Sequence, residues 1–221
     1  YTVNAVDPDL GCATTATVTV TVNAQPVITS ATATPNTICA GAPVTLAATS
    51  FALSPGSVAL GAGGSTSSSG GTPFYGTWGG TKVQYIYTAA ELQTAGFGAG
   101  NFTAIGLNVT SVGATTYQGF AISIGSTSQS VYATANTVAS GTQVFTGPLA
   151  NNGYQTTSGL NTFNFSTPFF WNGTSNIVVT MCYSNTNSSN PASTIQTDTY
   201  AGNVGMYIYA DNQSPATVCG A

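Results

Sequence analysis

Few side chains in this 221-residue chain could take part in acid–base chemistry. There is no Arg and no His, and the charged side chains are Lys82, Asp7, Asp9, Glu91, Asp198 and Asp211. Glycoside hydrolysis usually needs two carboxylates about 5 to 10 Å apart, whereas Asp7 and Asp9 share a turn sequence and Glu91 fits a helix cap. A nucleophilic triad needs a general base, for which Lys82 is the only conceivable group. The sequence therefore predicts no catalytic residue and a protein that is not an enzyme.

The acidic residues make calcium the candidate cofactor, because carboxylate oxygens are its usual ligands. Asp7-Pro-Asp9 offers two carboxylates, and Asp198, or Asp211 with Asn212, offers further oxygen ligands in loops. Asp in such places more often forms local hydrogen bonds to the backbone of a turn. We therefore predict no cofactor, with calcium at Asp7 and Asp9 as the less favoured alternative.

Three aromatic residues are candidates for stacking against a glycan. Tyr75 and Trp78 lie in a Gly-rich loop, and Trp171 lies in Phe169-Phe-Trp-Asn-Gly. An exposed cluster of such rings would offer a flat apolar platform. The alternative is that the rings fill the core or cap one end of it, and for Trp171 the core is favoured.

Four cysteines, with no His and no CxxC spacing, do not match a zinc site. An even number of Cys in a chain rich in Thr, Ser and Asn favours disulfides and an oxidising compartment; four buried free thiols are the alternative. Cys182 and Cys219 are expected to clip the last long strand to the segment that follows it. Cys12 either pairs with Cys39 or, if both belong to separate repeats, with a partner outside this sequence.

The charge content narrows the possible partners. Only 3% of residues are charged and the net charge is −4. A single Lys cannot replace the counterions of a duplex, so nucleic-acid binding is excluded, and anionic membrane surfaces are disfavoured. No apolar run reaches the roughly 18 residues that span a bilayer, so membrane insertion is not expected. Weak repulsion between copies permits close self-association.

Two hairpins are expected in the first 50 residues. Residues 1–6 and 16–22 alternate apolar and polar types around the turn sequence Pro8-Asp-Leu-Gly, and a strand over Ala16, Val18, Val20 and Val22 would carry one apolar face. Because two strands alone are unstable in water, this hairpin needs another partner. A second pair is expected over residues 27–33 and 38–48, with the latter strand interrupted at Gly41.

The rest of the chain has the spacing of a β-sandwich. Strands are predicted at 82–87, 102–109, 119–124, 143–145, 160–165, 177–183 and 205–209. Residues 88–96 predict a short helix, with Thr88 as N-cap, Glu91 completing a capping box and Gly96 ending it. The segment 61–71 (GAGGSTSSSGG) is either a flexible linker or a Gly-rich loop or edge strand inside the domain.

Residues 74–183 resemble a jelly-roll-like module of large secreted Bacteroidetes proteins. The matching segments are QYIYTAAELQTAG (84–96), FTAIGLNV (102–109), FAISIGST (120–127) and, most specifically, FSTPFFWNGTSNIVV (165–179). Residues 1–50 look like the junction of two immunoglobulin-like repeats, of which the second never finishes. The resemblance implies secretion by the type IX route and a surface protein of adhesin, gliding or filament type, of which this sequence is an excerpt.

These observations predict an all-β protein, a jelly-roll-like β-sandwich preceded by immunoglobulin-like strands. Residues 1–25 would be the terminal strands of one repeat that completes a neighbour, residues 26–60 a strand pair and linker, and residues 61–221 the sandwich. The predicted function is a structural subunit or repeat of an extracellular fibre, assembled with itself head to tail or as tandem repeats by strand complementation. The alternative is a glycan-binding adhesin module.

Overall fold

The computed structural model describes residues 2–6, 8–9, 13–17, 27–51, 56–133 and 138–221. The strands are β1 (Thr2–Val6), β2 (Ala13–Thr17), β3 (Val27–Thr34), β4 (Thr45–Phe51), β5 (Ser65–Ser67), β6 (Gly80–Tyr87), β7 (Gly100–Ser111), β8 (Ala121–Thr127), β9 (Thr142–Thr146), β10 (Gly159–Trp171), β11 (Asn176–Ser184), β12 (Thr194–Thr197) and β13 (Gly205–Ala210). The helices are α1 (Ala89–Thr94) and α2 (Pro215–Gly220), and a 3-10 turn covers Ala150–Asn152. The predicted all-β fold class is confirmed.

The first hairpin is present as a two-stranded antiparallel sheet. β1 pairs with β2 in a register that runs from Thr2 opposite Thr17 to Val6 opposite Ala13. Ala16 lies in β2 opposite Val3, so β2 begins three residues earlier than the alternation suggested. The other residues predicted for this strand, Val18, Val20 and Val22, lie outside the described residues, and so does Cys12.

The second hairpin is also a two-stranded sheet, in which β3 pairs with β4. The expectation that its second strand starts at Ile38 is wrong, because β4 starts at Thr45. Gly41 adopts a φ of +85°, which favours glycine, and the Ala42 amide donates to the Cys39 carbonyl at 3.0 Å. Pro43 follows, so the chain turns here instead of extending.

Two antiparallel sheets form the sandwich. The five-stranded sheet has the order β13-β6-β11-β8-β9 and the four-stranded sheet has the order β10-β7-β12-β5. All seven strands predicted in this part of the chain are present; β10 runs six residues beyond its predicted end, to Trp171, and the ends of the others differ by three residues or fewer. β5 lies within the Gly-rich segment 61–71 and pairs with β12, so the edge-strand alternative, not the flexible linker, describes that segment.

Alternating residues of the two sheets meet in one apolar core. Val83, Val179 and Ile122 enter it from the five-stranded sheet, and Val109 and Phe163 enter it from the four-stranded sheet. Each fully buried side chain of this size contributes about 1.5–3 kcal/mol through removal from water. At one end the core is aromatic, with ring centroids 4.7–6.3 Å apart among Phe74, Tyr117, Phe120, Tyr154, Phe163 and Tyr183.

Helix α1 forms as its capping sequence predicts. The Thr88 amide donates to Glu91 Oε2 at 2.7 Å, and the Glu91 amide donates to Thr88 Oγ1 at 3.2 Å. Gly96 has a φ of +95° just after the helix. Leu92 is buried in the core, so this short helix covers part of the sandwich.

Helix α2 lies on the outer face of the five-stranded sheet, where a disulfide fixes it. Cys182 of β11 is bonded to Cys219 of α2, with their Cα atoms 5.4 Å apart, as the sequence predicted. Val218 of α2 is buried. Lys82 of β6 is also buried on this face, and its Nζ donates to the Ala221 carbonyl oxygen. Desolvation lowers the pKa of Lys82.

Candidate functional site: an aromatic rim beside an edge strand

Four aromatic rings meet where the loop before β6 passes β13. Tyr75 lies 4.8 Å from Tyr209 between ring centroids, and Trp78 stacks on Tyr209 at 6.1 Å with an interplanar angle of 11°. Tyr207 also stacks on Tyr209, with their ring centroids 4.8 Å apart and an interplanar angle of 20°. Trp78 is 40% exposed and Tyr207 is 52% exposed. We call these four residues the aromatic rim.

Backbone contacts of nearby glycines hold the rim in place. The Gly71 amide donates to the Tyr209 hydroxyl at 2.8 Å, and the Gly79 amide donates to Asp211 Oδ1 at 2.9 Å. A Cβ at Gly79 would lie 1.6 Å from the Asn187 carbonyl oxygen, so no side chain fits there. The loop that carries Trp78 is therefore fixed against its neighbours through close backbone packing.

The rim has apolar surface to offer, but only part of each ring faces outward. Because Trp78, Tyr209 and Tyr207 are stacked, each gives some of its face to a neighbouring ring. The exposed surface is therefore mostly that of Trp78 and Tyr207, at the two ends of the stack. Such a rim suits either a ligand with one flat apolar face or the side chains of an added strand.

Trp171 does not belong to this surface, which corrects its candidacy as a glycan-stacking residue. The side chain is fully buried, it stacks on Phe102 at 5.8 Å and 16°, and its Nε1 donates to the Ser175 carbonyl at 2.7 Å. Alternation along β10 turns Phe169 and Trp171 inward and leaves Phe170 exposed. Phe169, Phe170 and Trp171 are all apolar, so the sequence does not show which of them face the core, and only the packing does.

The connection and start of β4 in the second hairpin expose apolar side chains. Ile38, Val44 and Leu46 are exposed, and Leu46 has 76% of its surface in solvent. Scattered apolar residues on a surface are ordinary. These three side chains, two in the connection and one at the start of β4, therefore contribute little apolar burial to the second hairpin.

Asp198 and Asp211 accept hydrogen bonds from backbone amides of glycines. Asp198 accepts hydrogen bonds from the amides of Gly63 at 3.0 Å and Gly64 at 3.2 Å, which lower its pKa. Asp211 accepts from the Gly79 amide. Asp9 is exposed in a turn, whereas Asp7 lies outside the described residues. Within the part of the chain that is described, no group of three or more His, Cys, Asp or Glu could hold a metal ion; calcium at Asp7 and Asp9 stays a prediction.

The second cysteine pair stays a prediction. Cys39 is exposed in the turn of the second hairpin and its thiol is free in the structure. Cys12 lies outside the described residues.

Burial of tyrosine hydroxyls leads to an expected pH dependence. Desolvation raises the pKa of Tyr87, Tyr132 and Tyr209 to about 12, and raises that of Tyr85 well above its usual value near 10. The folded chain then holds these protons where the unfolded chain has lost them. The stability they confer is fully present below pH 10 and is lost as the pH rises toward 12.

We therefore expect phenolate absorbance to rise in two phases on alkaline titration. The later phase belongs to the buried tyrosines, which should ionise well above pH 10 together with loss of the near-UV circular dichroism signal. One phase centred near pH 10 with an intact fold would contradict the burial of these hydroxyls.

Comparison of the chain with protein-family models, curated proteins and solved structures finds no significant match. Among the described residues, no helix has the length and apolar character needed to cross a membrane. The candidate site therefore depends on the geometry of the chain itself.

The sequence identified only half of the rim. Tyr75 and Trp78 were candidates because of their Gly-rich loop, whereas Tyr207 and Tyr209 were assigned only to a strand. Their i, i+2 spacing places both rings on one face of β13. That spacing is a usable sequence signal, but the contact with Trp78 joins positions more than 125 residues apart and required the fold.

Proposed function

We propose that this chain is a structural subunit or repeat of an extracellular fibre, assembled by addition of strands between copies or neighbouring modules. The observation that carries the proposal is the pairing of its first four strands. Among the described residues, β1 pairs only with β2 and β3 pairs only with β4. A two-stranded sheet is marginal in water, so each hairpin gains stability by joining a further sheet.

The composition supports assembly of this kind. Unpaired strand edges offer rows of amide and carbonyl groups, which proteins usually protect with charged side chains, above all Lys. This chain has a single Lys, and that side chain is 4% exposed. A net charge of −4 opposes contact between copies only weakly.

An extracellular setting is part of the proposal. The disulfide between Cys182 and Cys219 is of the kind that persists in an oxidising compartment. The burial of Lys82, the only Lys or Arg, leaves the folded chain without an accessible site for a trypsin-like protease. Both features suit a fibre outside the cell, and the type IX route of secretion is proposed from the sequence resemblance alone.

Sedimentation velocity over a range of concentrations, with electron microscopy of the same samples, tests the assembly. We expect the chain to form linear polymers whose mean mass rises with concentration. The double substitution Asn4→Pro with Thr15→Pro, at paired positions of the first hairpin, should abolish them. A wild-type chain that stays monomeric throughout, with the amides of both hairpins protected from hydrogen exchange, would contradict the proposal.

A second candidate function is glycan binding at the aromatic rim. The observation in its favour is that Trp78, exposed at one end of the ring stack, lies beside polar groups of Asn190 and Asp211. Asn190 Nδ2 donates to the Trp78 carbonyl at 3.2 Å, and Asp211 bonds the next residue, Gly79. An aromatic face with adjacent hydrogen-bonding groups is suited to a sugar ring.

A glycan array followed by fluorescence titration tests the second candidate. The chain has two Trp, of which Trp171 is buried and Trp78 is exposed, so a stacked sugar should change only the Trp78 emission. Binding should weaken at least about tenfold in Trp78→Ala and largely persist in Trp78→Phe, which keeps a ring. Absence of binding to every glycan tested would end this hypothesis.

A further inference from the structure

The edges of the two larger sheets differ in whether they are open to another strand. β9 is an edge of the five-stranded sheet, but Ser166 Oγ of β10 donates to the Val144 carbonyl of β9 at 3.1 Å. β10 is the neighbouring edge of the four-stranded sheet, and its register shifts between Asn164 and Phe169, a stretch that contains Pro168. Bulges and Pro both block strand addition. β5, the remaining edge of that sheet, has three residues.

The other edge of the five-stranded sheet is β13, and the described residues show none of these protections along Gly205–Ala210; just before it, the Tyr132 amide donates to the Asn203 carbonyl at 2.7 Å. β13 pairs with β6 over six residues without a register shift, and its sequence GMYIYA has no charge and no Pro. Its six residues equal the regular part of β10, Gly159–Asn164, but among the described edges of the two sheets only β13 is free of a bulge along its whole length and longer than β5.

The hydrogen-bond pattern shows which backbone groups of β13 point outward. The Ile86 amide donates to the Val204 carbonyl at 2.8 Å, so these two residues form a bonded pair. The next pair is Gly205 with Tyr85, and the register then advances by one residue on each strand. Because bonded and non-bonded pairs alternate in an antiparallel ladder, Met206, Ile208 and Ala210 bond to β6. The amides and carbonyls of Gly205, Tyr207 and Tyr209 then face away from the sheet, and none has a hydrogen-bond partner among the described residues.

The side chains beside this edge suit an added strand. Tyr207 is opposite Val83, a core residue, so its ring lies on the core side of the sheet. Tyr207 is 52% exposed, and Trp78 extends the apolar surface at the other end of the stack. A strand placed next to β13 would cover this surface while it satisfied the outward backbone groups.

We propose that β13 is the acceptor edge for the first hairpin, β1–β2, of a second copy of this chain. The inference rests on the proposed function and names the surface at which the copies meet. The hairpin fits as occupant because it pairs only with itself in the described part of the chain, its strands of five residues match the six of β13, and neither partner carries a charge in these strands. The contact joins two different surfaces, so it repeats head to tail and gives a filament.

Substitutions at Tyr207 test the acceptor edge without breaking the sheet. Tyr207→Pro removes an outward amide, whereas the bonds to β6 come from its neighbours, and Tyr207→Lys places a charge beside the edge. We expect each to raise the half-assembly concentration in sedimentation velocity at least about tenfold. Tyr207→Phe should assemble as the wild type does. Leu160→Lys, which adds the same charge to a side chain 70% exposed on β10, is the matched control and should also assemble.

Mixing two variants gives the sharpest outcome. Tyr207→Pro keeps a hairpin but lacks the acceptor, and Asn4→Pro/Thr15→Pro keeps the acceptor but lacks the hairpin. Together they should form a one-to-one complex that does not elongate, and each alone should be monomeric. Far-UV circular dichroism and urea midpoints like those of the wild type would establish that both variants are folded.

Other outcomes would overturn the inference and separate it from the proposed function. If Tyr207→Pro and Tyr207→Lys assemble normally while the hairpin variant does not, copies assemble through the hairpin at another surface. If Leu160→Lys loses assembly as fully as Tyr207→Lys, added charge and not the edge is responsible. If the wild type never assembles, the proposed function and this inference both fall.

Discussion

Loss of the Cys182–Cys219 disulfide is expected to lower the free energy of unfolding by about 4 kcal/mol. The bridge closes a loop with a sequence separation of 37, and a cross-link of that span restricts the unfolded chain by about this amount. It also holds α2 over the outer face of the five-stranded sheet, where Lys82 is buried. Urea denaturation of Cys182→Ser/Cys219→Ser measures the change directly.

The same substitution should expose the chain to trypsin. Lys82 is the only Lys or Arg, so one cut after it yields fragments 1–82 and 83–221. Cleavage of a central strand follows the population of opened molecules. A loss of about 4 kcal/mol should accelerate cleavage roughly several-hundred-fold.

Cys39→Ser provides the comparison for both measurements. The Cys39 thiol is free and exposed in the structure, so this variant should keep the wild-type midpoint and resistance to trypsin. A large fall in its midpoint would instead indicate the Cys12–Cys39 pairing that the sequence suggested. If Cys182→Ser/Cys219→Ser matched the wild type in stability, the clip formed by α2 would contribute nothing to the fold.

Replacement of Trp171 with Ala is the second large effect that we expect, a loss of about 3–5 kcal/mol. The ring is fully buried against Phe102, so its removal leaves a cavity at the end of β10. The Ser175 carbonyl also loses the hydrogen bond from Trp171 Nε1. Trp171→Phe should cost less, because it keeps a ring in the same space and loses the hydrogen bond.

Trp78→Ala is the matched control for this substitution. The Trp78 ring is partly exposed at one end of the aromatic rim, so its removal opens no enclosed cavity. We expect it to cost about 1 kcal/mol or less. Urea denaturation followed by far-UV circular dichroism compares the two without dependence on Trp emission. Equal losses for Trp171→Ala and Trp78→Ala would contradict the burial of Trp171.

The sequence by itself determined the local structure. Alternation predicted the sandwich strands and the first hairpin, and Thr88 with Glu91 and Gly96 predicted helix α1 from its caps. These features depend on residues a few positions apart, so their physical causes are present in short segments. The disulfide between Cys182 and Cys219 was also foreseen, as a clip between the last long strand and the segment that follows it.

Features that depend on distant partners needed the fold. β5 is three residues of Ser and Thr, and only its pairing with β12, about 130 residues away, makes it a strand. Phe169, Phe170 and Trp171 are all apolar, so periodicity left open which of them the core would take. The turn at Gly41 depended on a backbone conformation that the alternation around it concealed.

The proposed acceptor edge also depended partly on the sequence and partly on the fold. The sequence determined that the strands carry almost no charged side chains that could prevent the addition of another strand, because charge content follows from composition alone. Which edge stays open was decided only by the tertiary structure, because β9 is covered by Ser166, β10 is bulged and β13 is neither. The physical reason is that an edge strand is one with a hydrogen-bonded neighbour on one side only. Which strands become neighbours depends on the packing of the whole sandwich.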